Sequence, residues 1–379
     1  MSEASLRIGV IGAGGFGLFA LQQFLQVPGV KLAGMAGTHR EAARAMARRF
    51  GVEQIEQVES LVARPDVDLI YIATPPFLHY PQARLALEAG KHVISEKPLA
   101  VSVKQADALI ALAREKRRLC IANLMQRYNP MFDAVRRLIE SRALGECLHG
   151  YFENYAGDEG LPPGHWFWDR TKSGGIFIEH GVHFFDLFEG WLGPGRVLAA
   201  QRSRRPGSGL EEQVQCTVRY RDGIHVNFYH GFTQPARLDR QQFRLVFERG
   251  DVTLEEWVPV RARLHAVVNE QDTRTLMKLF PGARLDVLET YGPKDRAARG
   301  RHKDLDLYQR VEMVYGLGEE KMRRYSELLR AVLTDQWAWI RDPSHPRTIT
   351  EHNARHSLAL AEAATALADQ AEEPDAAPA

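Results

Sequence analysis

The segment from Gly175 to Leu192 is mostly apolar, yet it carries three ionisable side chains at regular spacing. Glu179, His183 and Asp186 stand at positions i, i+4 and i+7, so a helix would place them in one stripe. Buried ionisable groups are costly unless they are hydrogen-bonded or face a polar cleft. His183 is the best candidate for a general base, because the unperturbed imidazole pKa of about 6.5 lies near neutral pH. The alternatives are a satisfied core network or, for Glu179, a capping carboxylate.

A second chemical signal lies near the start of the chain, where the apolar residues 6–11 run into a glycine turn. Gly12, Gly14 and Gly17 fit the pattern G-x-G-x-x-G. In such turns the first glycine permits a sharp bend, the second lets the backbone approach a pyrophosphate, and the third lets the next helix pack closely on the strand. Three glycines can also mark an ordinary loop. The strand before them and the amphipathic helix after them favour a dinucleotide site, with phosphates at the helix N-terminus.

The elements that must position these residues alternate between strand and helix over the first 123 residues. We predict strands at 6–11, 30–36, 68–73, 92–94 and 119–122, with helices at 19–27, 40–50, 82–89 and 104–115. This alternation is typical of a Rossmann fold, a doubly wound parallel sheet. Ligands bind beyond the carboxyl ends of such strands. That rule directs attention to residues 12–17, 37–40, 74–79, 96–98 and 123–127.

Two short motifs stand at that edge of the predicted sheet, Ala73-Thr74-Pro75-Pro76 followed by His79, and Glu96-Lys97-Pro98. We expect Thr74 and Pro75 to line the cofactor channel, and His79 either to cap the next helix or to touch the cofactor. Glu96 is expected to orient backbone or ribose near the cofactor. In a dry site beside a cationic nicotinamide the pKa of Lys97 should fall, so that Lys97 either hydrogen-bonds the reacting oxygen or shares the proton transfer. Pro98 allows a cis peptide bond, which would aim Lys97.

With the glycine turn, these motifs resemble the glucose-fructose oxidoreductase, inositol dehydrogenase and rhizopine-catabolism (Gfo/Idh/MocA) family of nicotinamide enzymes. The resemblance covers most of the chain. The family's second domain carries G-G-G and then D-x-G-x-H-x-x-D, and this sequence has Ser173-Gly174-Gly175 and then the run Glu179 to Asp186. The resemblance implies that Lys97 and His183 flank the substrate hydroxyl and that the acid four residues before the histidine reaches the substrate. Here that acid is Glu179, where the family usually has Asp, and the extra methylene changes its reach.

The cofactor contacts are expected from the glycine turn, at Gly12, Gly14, Gly15, Phe16 and Gly17, and from the end of the second strand. An Asp or Glu about 20 residues beyond the turn normally holds the ribose hydroxyls of NAD. This chain has Gly37 there, followed by Thr38, His39 and Arg40. A hydroxyl and a guanidinium suit a phosphate, and a carboxylate that would repel it is missing. We therefore favour NADP(H), with NAD(H) as the alternative; Arg40 could equally begin a solvated helix.

Substrate contacts are expected from the aromatic run that precedes Ser173. Trp168 could pack on the C–H face of a polyhydroxylated ring while Arg170 bonds its hydroxyls. Arg127, after the last strand of the first domain, could reach the same cleft together with Glu179 and His183. The alternative for the aromatic side chains is packing between domains.

The pattern changes near Pro130, with a helix at 131–141 and then alternating segments typical of antiparallel strands. We predict an α/β chain with a Rossmann domain over 1–123 and an α+β domain over 124–370 that binds substrate and forms oligomers. The sheet of this second domain should be open and mainly antiparallel, and residues 371–379 should be a disordered tail. Residues 255–310 lack a clean periodicity, so 292–303 could be a mobile loop or a partner contact. Two helices, 321–340 and 351–370, close the chain.

The bulk properties exclude several classes of protein. The formal net charge of +1 gives no reason to expect nucleic acid or an anionic membrane as a partner. Three scattered cysteines suit a reducing compartment and argue against a disulfide framework or a zinc site, so no metal is expected. No signal peptide or membrane span is evident, which points to the cytoplasm. An open antiparallel sheet leaves a face that a second subunit can cover, which favours a homo-oligomer, a dimer or tetramer.

Together these features predict an NAD(P)-dependent oxidoreductase that transfers a hydride between nicotinamide and a secondary alcohol or ketone. The substrate would be a sugar, a polyol or a related cyclic compound. One alternative is an NAD-dependent glycosidase of the same superfamily, which turns over without net change in the cofactor. Another is a non-catalytic metabolite sensor, against which the presence of Lys97 and His183 argues.

Overall fold

The computed structural model describes residues 5–12, 14–37, 41, 48–51 and 57–371, which fall into two compact units. The first unit takes in the described residues up to 128 together with 163–186 and 325–365, and the second takes in 129–162, 187–324 and the described residues beyond 365. Each unit is therefore made of segments that are separate in the sequence, and two later segments pack with the first 128 residues. The predicted tail, 371–379, lies outside the described residues except for its first residue, which ends the last helix, and most of the helix predicted at 40–50 lies outside them as well.

The first unit is built on a five-stranded parallel sheet in the order β2-β1-β3-β4-β5. Its strands are β1 (Leu6–Ile11), β2 (Val30–Ala36), β3 (Leu69–Ile72), β4 (His92–Ser95) and β5 (Cys120–Ala122). The helices described between them are α1 (Gly15–Phe24), α2 (Val58–Ala63), α3 (His79–Glu88) and α4 (Val103–Lys116). All four side chains of β3 are buried, as expected of a parallel strand covered on both faces. The predicted Rossmann fold is confirmed.

The second unit contains a nine-stranded sheet in the order β13-β16-β12-β11-β10-β6-β9-β8-β7. The elements that build it are α5 (Pro130–Ser141), β6 (Cys147–Gly157), β7 (Arg196–Arg204), β8 (Glu211–Arg219), β9 (His225–Gln234), β10 (Arg240–Phe247), β11 (Gly250–Glu255), β12 (Arg261–Val268), α8 (Glu270–Leu279), β13 (Arg284–Thr290) and β16 (Gln309–Tyr315). Only β6 and β9 pair in parallel, so the sheet is mainly antiparallel as predicted. Burial alternates along β10 and β12, because one face packs on a core that includes Phe152, Phe228 and Phe243.

Residues 255–310, which the sequence left unassigned, form regular structure. They contribute β12, α8 and β13 to the second unit, and a separate two-stranded antiparallel sheet joins β14 (Ala297–Gly300) to β15 (Lys303–Asp306). The remaining helices are α6 (Arg170–Ser173), α7 (Val182–Leu192), α9 (Lys321–Arg341) and α10 (Glu351–Ala371). In the part of the chain that is described, no helix combines the length and the apolar character that crossing a membrane requires.

Candidate active site

In the glycine turn between β1 and α1, the space that a Cβ would enter differs from one glycine to the next. Gly12 has φ +103°, and a Cβ there would lie 2.5 Å from the carbonyl oxygen of Ala73. A Cβ on Gly17 would lie 2.9 Å from the Cβ of Ala73, so Gly17 lets α1 approach β3 closely. Beside Gly14, in contrast, a Cβ would meet nothing within 4 Å. This open space suits a ligand that approaches the backbone.

The start of α1 is also electrostatically suited to an anion. Gly14 is the N-cap residue, it makes no side-chain cap, and the first turn carries no acidic residue. The N–H groups and the positive end of the helix dipole therefore face the open space. The ring of Phe16 packs on Tyr325 of α9 with ring centroids 5.7 Å apart. These residues fit the pyrophosphate of a dinucleotide, whereas Thr38, His39 and Arg40 lie outside the described residues.

A buried hydrogen-bond network joins the carboxyl ends of β3, β4 and β5. Oε1 of Glu96 accepts from the hydroxyl of Tyr71 at 2.5 Å and from Nδ2 of Asn123 at 2.8 Å. Burial raises the pKa of Glu96, while these two donors act in the opposite direction. Burial also raises the pKa of Tyr71, so its phenol keeps its proton and remains a donor. The network holds Glu96 beside Lys97 at the edge where the sequence places the cofactor.

His79, the first residue of α3, is fully buried between two loops of the same edge. Its Nδ1 lies 2.6 Å from the carbonyl oxygen of Pro98, and its Nε2 lies 2.7 Å from that of Thr74. The Lys97–Pro98 peptide bond is cis, as the sequence hypothesis held. Both ring nitrogens of His79 therefore face backbone carbonyl oxygens inside the fold.

Lys97 and Glu179, 82 residues apart in the chain, meet directly. Nζ of Lys97 donates to Oε1 of Glu179 at 2.6 Å and to the backbone oxygen of the same residue at 2.8 Å. Their side chains are 17% and 11% exposed, so solvent screens this ion pair far less than a pair on the surface. The contact places an ammonium group at a fixed point of the candidate site.

The local chain around Glu179 departs from the single α-helix that the sequence predicted from Gly175 to Leu192. Gly174 and Gly175 both have positive φ, +84° and +96°, and a Cβ on Gly174 would clash with the Ile178 side chain. Residues Phe177–Gly181 then form a π-helical segment before α7 begins at Val182. A π turn changes the angle between successive side chains and is frequent at functional sites. Here it directs both the carbonyl and the carboxylate of Glu179 to Lys97.

His183, on the first turn of α7, is buried, with 8% of its surface exposed. Burial, reinforced by the positive charge of Lys97, holds the pKa of His183 well below 6.5. The imidazole is therefore neutral at physiological pH, the form that accepts a proton. The structure thus brings together three residues that the sequence singled out, Lys97, Glu179 and His183.

Asp186 and Arg127 form a second buried ion pair in the same unit. Nε and Nη2 of Arg127 donate to the two carboxylate oxygens of Asp186 at 2.8 and 2.9 Å, and Asp186 is 2% exposed on its side chain. Nδ2 of Asn353, on α10, donates to the same carboxylate at 2.9 Å. This bidentate pair connects Asp186 of α7 to the 3₁₀ turn Met125–Tyr128, which carries Arg127. The sequence signalled Arg127 and Asp186 separately and gave no sign of their pairing.

Two of the three aromatic side chains in the run before Ser173, Phe167 and Trp168, are buried. Trp168 is buried, and its ring meets Phe167 edge-on with centroids 4.9 Å apart. Arg170 begins α6, whose N-terminus is capped by Asp169, and it remains partly exposed. Trp168 is therefore largely shielded from solvent, whereas Arg170 is partly exposed.

Sequence reasoning missed three residues of this region. Tyr71 reads as one more apolar residue of a buried strand, and Asn123 as an ordinary residue after one. Tyr325, whose ring packs on Phe16 and Phe19, lies about 300 residues from them in the chain, where only its helix was predictable. No local pattern marks any of the three, because their partners are distant in sequence.

Comparison with known proteins assigns the chain to a family. The family model for an oxidoreductase with an NAD-binding Rossmann fold matches residues 6–124, and the model for the GFO/IDH/MocA C-terminal domain matches residues 132–253. The chain is 27% identical over 332 residues to a dTDP-3,4-didehydro-2,6-dideoxy-alpha-D-glucose 3-reductase of Saccharopolyspora spinosa, covering 83% of this chain and 97% of that protein.

It is also 30% identical over 240 residues to a 1,5-anhydro-D-fructose reductase of Ensifer adhaerens, covering 60% of this chain and 69% of that protein. The solved structure of the WlbA dehydrogenase from Bordetella pertussis, in complex with NADH and UDP-GlcNAcA, has the same fold. It superimposes with a TM-score of 0.77 at 19% identity and covers 98% of both chains. The chain therefore belongs to the Gfo/Idh/MocA family of oxidoreductases.

Proposed function

We propose that this protein transfers a hydride between NAD(P) and a secondary alcohol or ketone of a sugar, polyol or related cyclic compound. The observation that carries the proposal is the arrangement of Lys97, Glu179 and His183 in the unit that also holds the glycine turn. When bound, the nicotinamide supplies or accepts the hydride. The protein must then hold the substrate carbon in place and move the hydroxyl proton.

Lys97 and His183 have complementary protonation states for that task. An ammonium has three donors; among the described residues, two of those of Lys97 go to Glu179, and the third is left for a substrate oxygen. A neutral His183 takes the proton when an alcohol is oxidised and returns it when a ketone is reduced. Glu179 holds the ammonium in place, and its carboxylate is near enough to Lys97 to contact the same substrate.

A sugar-like substrate is supported by the partly exposed Arg170 and by the relatives, which include a reductase of a deoxysugar nucleotide and a reductase of anhydrofructose. We assign Arg170, Glu179 and His183 to substrate contact. Because Trp168 is buried, we expect it to support the residues that line the site and not to contact the substrate. Arg127 would act through Asp186 on the position of α7.

We favour NADP(H) over NAD(H) as the cofactor, from Gly37, Thr38, His39 and Arg40. Arg40→Ala should then weaken NADPH binding by at least about tenfold and leave NADH binding within about twofold, since a phosphate contact to Arg is charge-assisted. Fluorescence titration with both nucleotides measures this. Equal losses for the two nucleotides, or none, would contradict the preference.

A cytoplasmic homo-oligomer is the form we propose. Cys120, Cys147 and Cys216 are all buried free thiols, as suits a reducing compartment. The less buried face of the nine-stranded sheet presents Tyr155 and Tyr229, with ring centroids 5.2 Å apart, and Arg240 stacks on Tyr155. Aromatic and Arg side chains are typical of protein interfaces. Sedimentation of Tyr155→Glu should give monomers, whereas an unchanged sedimentation coefficient would contradict an interface at this face.

The enzymatic assignment is tested by turnover of a panel of keto sugars with NADPH or NADH. Lys97→Met and His183→Asn should each lower kcat by about 10²- to 10⁴-fold, the usual contribution of a positioned acid or base. Binding of the nicotinamide cofactor, measured by fluorescence, should change little. Full activity in both variants would contradict the proposal.

A further inference from the structure

The contacts of His79 link the two loops that leave β3 and β4. Thr74 follows β3, and Pro98 lies three residues beyond β4, directly after Lys97. The His79 ring stands between them, 2.7 Å from one carbonyl oxygen and 2.6 Å from the other. One turn further along α3, Oε1 of Gln82 accepts a hydrogen bond from the hydroxyl of Thr74 at 2.7 Å. The first turn of α3 thus holds both loops.

The chemistry of these contacts fixes the direction of the bonds. A carbonyl oxygen only accepts, so the imidazole must donate; a neutral ring donates to one carbonyl and a protonated ring to both. Burial is the larger influence on the pKa of His79 and lowers it, although the two carbonyls act in the opposite direction. The charged groups that act on the ring are Lys97 and Glu179. In either state both nitrogens are enclosed by backbone and are closed to a substrate.

We propose that His79 is a positioning residue for Lys97, and this rests on the proposed function, which makes Lys97 catalytic. The ring contacts the carbonyl oxygens of Pro98 and Thr74 together. It thereby fixes the backbone from which the Lys97 side chain extends. A lysine stem has four rotatable carbons, so its Nζ reaches a defined point only when both ends are held. Glu179 holds the ammonium end, and His79 holds the backbone end.

The test uses two variants of His79 and a matched histidine from the same sheet. His79→Phe keeps a planar ring and removes every donor, whereas His79→Gln keeps an amide donor. His92 begins β4, at the end of that strand opposite to Lys97, and its Nδ1 accepts from the backbone N–H of Leu119 at 3.2 Å. His92→Phe therefore perturbs the same strand without touching the Lys97 backbone.

The first readout separates kcat from binding. Misplacement of a reacting group by about 1 Å costs up to about 100-fold in rate. His79→Phe should lower kcat by about 10- to 100-fold and leave KM for the ketone and the Kd of the nicotinamide cofactor within about threefold. His79→Gln should recover much of the loss, and His92→Phe should keep the wild-type kcat. A His79→Phe enzyme that unfolds at lower temperature but keeps its kcat would show a merely structural role and overturn the proposal.

The second readout needs no substrate. Each protein is treated with the N-hydroxysuccinimide ester of acetic acid, and acetylation of Lys97 is followed by peptide mass spectrometry. Lys91, whose Nζ donates to the backbone oxygens of Arg64 and Val67, serves as the internal reference. Relative to Lys91, acetylation of Lys97 should be at least about threefold faster in His79→Phe than in the wild type or His92→Phe. An unchanged ratio in His79→Phe would overturn the proposal.

These readouts keep the two proposals apart. If the wild-type protein reduces no ketone with either cofactor, the proposed function fails, and the acetylation ratio still decides whether His79 positions Lys97. If His79→Phe does not fold, His79→Leu, which likewise has no donor, takes its place, and a wild-type kcat with a wild-type acetylation ratio in that variant would overturn the proposal.

Discussion

At the level of single residues, the site combines the positively charged side chain of Lys97 with the neutral imidazole of His183. The carboxylate of Glu179 fixes the position of the Lys97 side chain, while burial, reinforced by the positive charge of Lys97, lowers the pKa of His183 and keeps it neutral. A donor and an acceptor of protons thus coexist in one site.

The pH dependence of alcohol oxidation follows from His183. The neutral imidazole is the active form, and because its pKa lies well below 6.5, the form is lost only when the pH falls through that lowered value. We expect the acid limb of the kcat profile for oxidation to lie below pH 6.5. Steady-state kinetics between about pH 5 and 8 measure it. An acid limb at or above 6.5 that disappears in His183→Asn would contradict a buried neutral base.

The length of Glu179 can be tested separately. Glu179→Asp shortens the acid by one methylene, so its carboxylate should no longer reach the Lys97 ammonium at 2.6 Å. We expect kcat to fall about tenfold and the cofactor Kd to stay the same, since a buried charge-assisted hydrogen bond contributes about 1.5–3 kcal/mol. Glu179→Gln, which keeps the length, is the matched control for geometry. Wild-type kinetics in Glu179→Asp would show that the contact is dispensable.

At the scale of elements, the glycine turn and the strand ends were predictable and the pairings across them were not. Parallel strands place their carboxyl ends at one edge, so the sequence located Lys97, His79 and the glycine turn together. The comparisons confirmed the family and the oxidoreductase class, while the individual site residues stay predictions. The approach of Glu179 to Lys97 depends on a π turn, whose i to i+5 bonding leaves no regular spacing in the sequence. The pairing of Arg127 with Asp186 depends equally on packing between distant segments.

The glycine turn allows a prediction with a built-in control. Gly14→Ala adds a methyl group to open space, so the thermal unfolding midpoint should stay within about 2 °C while nicotinamide nucleotides bind at least about tenfold more weakly. Gly12→Ala places its methyl 2.5 Å from the Ala73 carbonyl oxygen at a positive φ, so it should lower stability as well. Calorimetry and fluorescence titration measure both. Tight binding by a folded Gly14→Ala protein would contradict a pyrophosphate at Gly14.

At the scale of the whole molecule, several histidines are buried in forms that resist protonation. Burial lowers the pKa of His230 to about 3, and burial with Arg118 lowers that of His92 to about 4. An unfolded histidine titrates near 6.5. The free energy of unfolding is therefore at its full value above pH 6.5, where these histidines are neutral in both states. It decreases as the pH falls from 6.5 towards the folded pKa, by up to about 1.4 kcal/mol per pH unit for each such histidine.

This linkage predicts a steep loss of stability in mild acid. The thermal unfolding midpoint of the wild-type protein should decrease as the pH is lowered from about 6.5 to 5. His230→Phe should reduce the pH dependence of the free energy of unfolding by the equivalent of one bound proton. Replacement of the exposed His225 by Gln is the control that should leave the slope unchanged. Thermal unfolding at several pH values measures it. Equal slopes in the wild type and His230→Phe would contradict a neutral buried His230.

The central claim is net hydride transfer, and it is tested most directly by stoichiometry. The purified protein is incubated with NADPH or NADH, deuterated at the transferable position, and the keto sugars that it turns over. We expect one nicotinamide to be oxidised for each alcohol formed, with deuterium at the new carbinol carbon, and both signals to be lost in Lys97→Met. Turnover without net oxidation of the cofactor would indicate the glycosidase chemistry instead, and absence of nucleotide binding would contradict the enzyme assignment altogether.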